Sequence, residues 1–178
     1  MEMVDVFVGL GSNLGDSTQT LLKAWHNLGE QQGVELQKIS SPYISSPVDM
    51  TSSNWFTNAV GHLTTCLPAH QLLDILLETE LALGRVRNEN HQGYQDRVVD
   101  LDLIYYGTLI HDDARLTIPH PHLYYRLFVL APLAAIAPEF IDPVREVSIS
   151  RLYHQLADRI DNELVENQEI KESDWGDF

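Results

Sequence analysis

Residues Val4 to Leu10 alternate in character and are rich in β-branched and aromatic side chains, then run into the turn-forming sequence Gly9-Leu10-Gly11-Ser12-Asn13-Leu14-Gly15-Asp16. The pattern predicts a strand ending in a loop. Asp16 followed by Gln19 has the form of a helix N-cap with a reciprocal partner, and Leu21, Trp25 and Leu28 recur at helical spacing, so a first helix is expected to about Gln32. Val34 to Ile39 reads as a second strand. Ser40 to Asn54 is rich in Ser, Pro, Asp and Asn without a sustained period, which predicts a long loop of the kind that is often functional. Trp55 to Thr65 reads as a strand, Pro68 suits the first turn of a helix reaching about Leu83, and Gly84 is its stop. Val98 to Tyr106 carries the strongest strand pattern of the chain and is closed by Gly107. Thr117 to His122 reads as a rigid connector, followed by a helix over Tyr125 to Ile136 that is interrupted or ended near Pro132, and by a short helix over Ile149 to Ile160. Mixed strands and helices without an internal repeat predict a layered structure in one domain over residues 1–160.

Composition narrows the partners. A chain of 178 residues can bury a core without disulfides or a structural metal. The net charge of −15, from 11 Lys plus Arg against 26 Asp plus Glu, disfavours nucleic acid and anionic lipid surfaces. No apolar run approaches the roughly 20 residues of a membrane-spanning helix. Met1 to Asp5 carries acids and no base, unlike a secretory signal, and the single Cys66 fits a reducing cytoplasm. Much of the acidic excess lies in residues 161–178, where seven acids face only Lys171, so that segment is expected to be a solvated, partly disordered tail.

The chemistry concentrates around Asp100-Leu101-Asp102. In a strand the two carboxylates share one face about 7 Å apart at Cα, while Leu101 and Leu103 face the other way. Like charges side by side on a half-buried strand repel, and a divalent cation between them removes the repulsion; oxygen-only ligands favour magnesium or manganese. An exposed strand face is the plainer alternative. Leu72, Leu73, Leu76 and Leu83 define one apolar helix sector, and Glu80 falls inside it, where it needs a donor, a cation or a polar ligand. Arg85, Arg87, Arg97, Arg115 and Arg126 interleave with acids in a segment without lysine, a pattern that serves phosphoryl transfer and surface ion pairs alike. The glycines of the first turn-forming run miss both nucleotide-binding fingerprints, so a tight structural turn is expected there. His120 and His122 flank Pro121, yet with His111 or His91 no cysteine or acid completes a zinc set; an imidazole contacting phosphate or nucleotide is the better expectation.

Taken together, Gly9-Leu-Gly-Ser-Asn-Leu-Gly-Asp16, Phe56-Thr-Asn58, Gly84-Arg-Val-Arg87, Arg97-Val-Val-Asp-Leu-Asp102, Ile118-Pro-His120 and Arg126-Leu-Phe-Val-Leu130 resemble the signature of the hydroxymethyl-dihydropterin pyrophosphokinases, in order and spacing from about residue 4 to 140. The resemblance implies an α+β fold, three-layer αβα with a mostly antiparallel sheet in a ferredoxin-like arrangement. It implies transfer of diphosphate from ATP to the pterin hydroxymethyl group with release of AMP. By the same resemblance Asp100 and Asp102 hold two magnesium ions and, with Arg85 and Arg97, form the catalytic group. Glu80, Arg87, Leu103, Arg115, Thr117, His120 and Arg126 are placed at the nucleotide; Ser45, Ser46, Pro47, Val48, Phe56, Asn58 and Phe128 are placed at the pterin. Arg97 is expected in the loop before the strand. The chain departs from the family where residues 88–97 are about two residues longer and lack upstream bases, a tryptophan and a proline; Leu77 stands where glutamine is common, and Ser45-Ser46-Pro47 replaces a Thr-Pro. A non-catalytic pterin- or nucleotide-binding paralogue and a metal-dependent phosphohydrolase stay open as alternatives at this level.

Overall fold

The computed structural model describes residues 2–48, 50–86 and 95–176. Strand β1 (Val4–Ser12) leads to helix α1 (Ser17–Gly29), strand β2 (Val34–Ile39), the short strand β3 (Tyr43–Ser45) and the long strand β4 (Phe56–Thr65). Helix α2 (Ala69–Ala82), strand β5 (Asp100–Tyr106) and the hairpin β6 (His111–Asp112) and β7 (Thr117–Ile118) follow. A 3-10 turn (Leu123–Tyr125), helix α3 (Leu127–Ile136), helix α4 (Ile149–Asp161) and strand β8 (Ile170–Glu172) complete the described elements.

The main sheet has six strands in the order β5-β1-β4-β3-β8, with β2 also pairing with β4, and every pairing is antiparallel. Alternation along the strands divides the core. Val6, Val8, Leu10, Leu101 and Leu103 bury against Leu21, Trp25, Leu28, Leu72 and Leu76 of α1 and α2. On the opposite face Phe7, Val60, Ile104 and Tyr105 bury against Leu130 and Leu133 of α3 and Ile149 and Leu152 of α4. The result is the three-layer αβα arrangement expected from the resemblance. Leu101 and Leu103 are each 3% exposed, and burial of such side chains contributes roughly 1.5–3 kcal/mol apiece. That is enough to hold in register a strand that carries two acids on its other face.

Local chemistry sets the ends. The Asp16 carboxylate accepts from the Gln19 backbone N–H and starts α1; Gly84 takes φ +92°, a left-handed conformation that glycine allows, and ends the turn after α2. Four expectations need correction. Gly9 and Gly11 lie inside β1 rather than in a turn, because both neighbours of that strand are long enough to pair with it through Ser12 on one side and Gly11 on the other. Within the predicted long loop, Tyr43–Ser45 forms β3, since the free edge of β4 from Phe56 to Asn58 takes it up. The expected rigid connector contributes β7 to a small hairpin. Pro132 lies inside α3, which runs on to Ile136.

The acidic C-terminal segment also departs from the solvated end that its charge suggested. Ile170–Glu172 pairs with β3, Gln168 is buried, and Trp175 donates its indole N–H to the Ser40 carbonyl at 3.0 Å and packs on the core. A few apolar and amide side chains dock while the acids between them point outward, so charge counting missed the docking. Among the described residues no helix is long and apolar enough to cross a membrane.

Candidate active site

The register of β1 builds the site. Gly9 stands opposite Asp102 and Gly11 opposite Asp100 on β5, and Gly11 also stands opposite Asn58 on β4. Neighbouring strands lie about 4.8 Å apart, so Asp100 and Asn58 are separated by roughly 10 Å with only a glycine between them. The sheet surface there is bare backbone, a flat floor with an acid on one side and an amide on the other. A Cβ at Gly11 would come within 3.2 Å of Asn58 Oδ1, and one at Gly9 within 3.2 Å of Ile104.

Two recesses meet at the acids. The first is lined by Gly9, Gly11, Ser45, Ser46, Val48, Phe56, Asn58, Arg97, Arg126 and Phe128 together with Asp100 and Asp102. Asn58 is 5% exposed and donates to Ser45 Oγ at 2.8 Å, which fixes its amide at the end of the floor. The Arg97 guanidinium lies 6.0 Å from the Phe56 ring centroid and that of Arg126 5.7 Å from the Phe128 ring centroid, so both cations sit against the aromatic walls. The second recess is lined by Leu73, Leu77, Glu80, Leu103, Arg115, Thr117 and His120, again with Asp100 and Asp102.

Glu80 is 1% exposed. Its Oε1 accepts from Arg85 at 2.6 Å and from the backbone N–H of Leu101 at 2.8 Å, so this inward acid is satisfied and joins α2 to the acid-bearing strand. Arg85 also donates to Asp100 Oδ1, and Arg97 donates to Asp100 Oδ2 at 2.6 Å. Arg97 lies in the loop before β5, held where Asn13 Oδ1 accepts its backbone N–H at 2.8 Å. Asp100 is therefore clasped by two guanidinium groups, whereas among the described residues Asp102 is not. Burial, then the neighbouring Asp100 charge, pushes the Asp102 carboxyl up to about 7, against the pull of Arg126 and Arg97. Solvent tempers this, since 37% of the Asp102 side chain remains exposed. The donor set fits a hard divalent cation: carboxylate oxygens on one face, with like-charge repulsion that a cation would remove.

His120 Nε2 lies 3.8 Å from Asp102 Oδ1. Burial, then Arg126 and His122, lowers its pKa to about 4, so the imidazole is neutral at ordinary pH. Its Nδ1 accepts the His122 backbone N–H at 3.2 Å, which leaves the proton on Nε2 as a donor toward the recess. Arg115 is exposed and pairs with Asp74 at the rim, and Thr117 donates to Asp112 at 2.8 Å.

Of the residues expected at the site, Pro47 and Arg85 line neither recess, although Arg85 reaches Asp100, and Arg126 lines the Asn58 side rather than the His120 side. Arg87, with residues 88–94 of the altered loop, lies outside the described residues. Sequence reasoning missed Asp96, which accepts from Asn13 at 2.7 Å, Ser52 at 2.6 Å and Asn54 at 2.8 Å and so ties residues 52–54 to the loop carrying Arg97. It also missed Gln168, whose Oε1 accepts the Leu127 N–H and whose Nε2 donates to the Tyr125 carbonyl, both at 2.8 Å, beside Arg126. Neither carries a motif; only the folded chain brings them to the site.

The family described as 7,8-dihydro-6-hydroxymethylpterin-pyrophosphokinase (HPPK) matches residues 7–138, which includes every acid and arginine just placed. The chain belongs to the HPPK family. Among its relatives, the 2-amino-4-hydroxy-6-hydroxymethyldihydropteridine pyrophosphokinase of Methylorubrum extorquens is 38% identical over 147 residues, covering 81% of this chain and 91% of that protein. The protein of the same description from Synechocystis is 40% identical over 149 residues, covering 84% and 74%. In fold the HPPK chain is similar to an HPPK-DHPS crystallised with substrates, with a TM-score of 0.74 at 12% identity over 94% of this chain, and to HPPK-DHPS of Plasmodium falciparum at 0.73. It spans just under half the length of those solved chains, 45% and 46%. The matched segment of this HPPK chain ends before α4, so Gln168 and β8 lie outside residues 7–138.

Proposed function

We propose that this HPPK chain transfers a diphosphate group from ATP to 6-hydroxymethyl-7,8-dihydropterin, releasing AMP, as a step of folate biosynthesis in a cytoplasm that keeps Cys66 reduced. The observation that carries the reading is the sharing of Asp100 and Asp102 by two unlike recesses, one flat and aromatic-walled, the other edged by Arg115, Thr117 and His120. The glycine floor takes the flat pterin, Asn58 and Ser45 read its polar edge, and Phe56 and Phe128 lie against its faces at offset-stacking distances. The nucleotide occupies the second recess. Two magnesium ions bound by Asp100 and Asp102 would neutralise the phosphate oxygens between the substrates.

The pterin hydroxymethyl oxygen attacks the β-phosphorus and gives up its proton to solvent, the bond from that phosphorus to the α,β-bridging oxygen breaks, and AMP carries that oxygen away. Arg85 and Arg97, which offset the Asp100 charge in the free protein, serve the phosphate oxygens once substrate arrives, and Arg126 borders both the pterin and the reacting group. Neutral His120 donates from Nε2 without adding charge. Glu80 acts through Arg85 and through the Leu101 N–H, as a positioning residue.

The test is AMP formation from Mg-ATP with and without the hydroxymethyl-dihydropterin. AMP that requires the pterin supports the transferase. AMP or ADP formed without it would make the chain a phosphohydrolase, and pterin binding without AMP would make it a non-catalytic paralogue.

A further inference from the structure

At the rim of the second recess, which Asp113 lines together with Asp100 and Asp102, three side chains from separate parts of the chain converge on one point. His70, in the first turn of α2, and His111, at the start of β6, each place Nε2 2.8 Å from Oδ2 of Asp113. All three ligand atoms lie within 4.8 Å of one another, and the two imidazoles meet edge to face at 5.1 Å. The carboxylate is fixed from behind: Asp113 Oδ1 accepts the backbone N–H groups of Arg115 at 2.8 Å and Leu116 at 2.9 Å, which leaves Oδ2 aimed at the two rings. Sequence spacing could not show this, because His111 was weighed with His120 and His122, while the fold carries His120 to Asp102 instead.

We propose that His70, His111 and Asp113 form a three-ligand site for a zinc-class divalent cation, separate from the magnesium pair, that ties the start of α2 to the β6–β7 hairpin. Two imidazoles that both spend the same ring nitrogen on one carboxylate oxygen are each already turned toward a common centre. Zinc binds imidazole nitrogen and carboxylate oxygen at about 2.0–2.2 Å, so tetrahedral ligand atoms stand roughly 3.3 Å apart. Opening the two contacts by about 0.5 Å, and bringing the two imidazole nitrogens, which lie within 4.8 Å of each other, to a similar separation accommodates the ion. Nitrogen ligands select zinc, nickel or copper over magnesium, and the backbone-held carboxylate is the kind of outer support that such sites use. The fourth position faces water. Because the hairpin carries Arg115 and Thr117, an ion bound here stiffens the rim of the nucleotide recess.

The experiment is zinc titration of the whole protein against a chromophoric chelator, with magnesium in large excess to fill the aspartate pair. One equivalent of zinc is expected, with a visible d–d spectrum when cobalt(II) replaces it. His70→Ala and His111→Ala should each weaken binding by about tenfold or more, with far-UV circular dichroism confirming that both variants fold. Failure of the folded wild type to take up zinc under these conditions overturns the proposal, as does wild-type affinity in the double variant His70→Ala/His111→Ala.

Discussion

The two sides of the recess proposed for the pterin are built differently. The acid side is the interior of a sheet: β5 is laddered to β1 along Val6 to Gly11, Leu101 and Leu103 are buried beneath it, and Asp100 is held by two arginines. The opposite side rests on β3, three residues long, which has β4 on one edge and the three residues of β8 on the other. Backbone contacts from Ser46 to Glu169 and from Ser173 to Pro42, at 3.0 and 2.9 Å, add to that support. Charge that must not move sits where unfolding is needed to move it, and the surface that recognises a substrate shape sits where a few hydrogen bonds decide its position. Local opening free energies follow such differences in burial and contact. A lesion on the acid side should therefore abolish chemistry, and one on the tail side should weaken pterin binding first.

The largest effect is expected for Asp102→Asn. Loss of a carboxylate aimed at the reacting phosphates should lower pterin-dependent AMP formation by about 10³-fold. Stability should move the other way. The folded-state pKa of Asp102 is raised above the unfolded value, so the free protein loses stability as pH rises from about 4 through about 7, where the unfolded chain has already released a proton that the fold retains. Discounted for the solvent reaching this side chain, the variant should gain about 1–2 kcal/mol at pH 8, a rise in Tm of roughly 2–8 °C that vanishes near pH 4. Calorimetry without magnesium across that range checks the sign. A variant that melts below wild type at pH 8 would mean that the acids are not in repulsion.

Next comes Gly11→Ala, aimed at the floor that both sides share. Its Cβ would lie 3.2 Å from Asn58 Oδ1, and Asn58 is held by Ser45. The strand conformation tolerates alanine, so the fold should persist while overpacking of about 1–3 kcal/mol falls on the bound pterin. The expected result is a KM for pterin raised about tenfold or more with the KM for ATP unchanged. An equal rise in both would show that the two recesses do not divide the substrates as proposed.

The same contrast explains what could be read from the chain alone. Asp100 and Asp102 were legible because a strand's twofold alternation puts them on one face whatever the rest of the protein does. Glu80 was legible as an inward acid because the leucines of α2 keep helical period around it. Gly9 and Gly11 were misread as a turn: glycine signals bends when seen by itself, and only the pairing register shows that a missing side chain opposite each aspartate makes a floor. Asp96, Gln168 and β8 were illegible for another reason. Their partners are 41 to 129 residues away in sequence, from Leu127 and Gln168 up to Tyr43 and Glu172, and no local period encodes such a pairing. Charge counting even pointed the wrong way for the tail, since its acids are solvated while its Gln168 and Trp175 dock.

Gln168→Ala tests that tail side with a smaller expected effect. The substitution leaves the Leu127 N–H and the Tyr125 carbonyl without their side-chain partner next to Arg126 and Phe128. An unmet buried N–H beside a half-buried carbonyl costs about 1–3 kcal/mol, or roughly 2–10 °C in Tm. The KM for pterin should rise several-fold while kcat stays within about twofold, as a loosened wall would give. A lower Tm with unchanged pterin KM would leave Gln168 a purely structural residue and break the comparison drawn above.

The smallest effect probes the recess proposed for the nucleotide, where Leu77 lines the wall at a position that the family resemblance gives to glutamine. Leucine offers the nucleotide only apolar contact there. Leu77→Gln sits on a half-buried helix position, so the fold should be little disturbed. One hydrogen bond to a nucleotide edge contributes about 0.5–1.5 kcal/mol, which predicts a KM for ATP lowered by roughly two- to tenfold and no change for pterin. Selectivity should sharpen with it, because a glutamine can distinguish donor from acceptor on a purine edge and a leucine cannot, so competition between ATP and GTP is the sensitive readout. Equal gains for both nucleotides would mean that the added amide meets the ribose or phosphates instead, and would move the base away from Leu77.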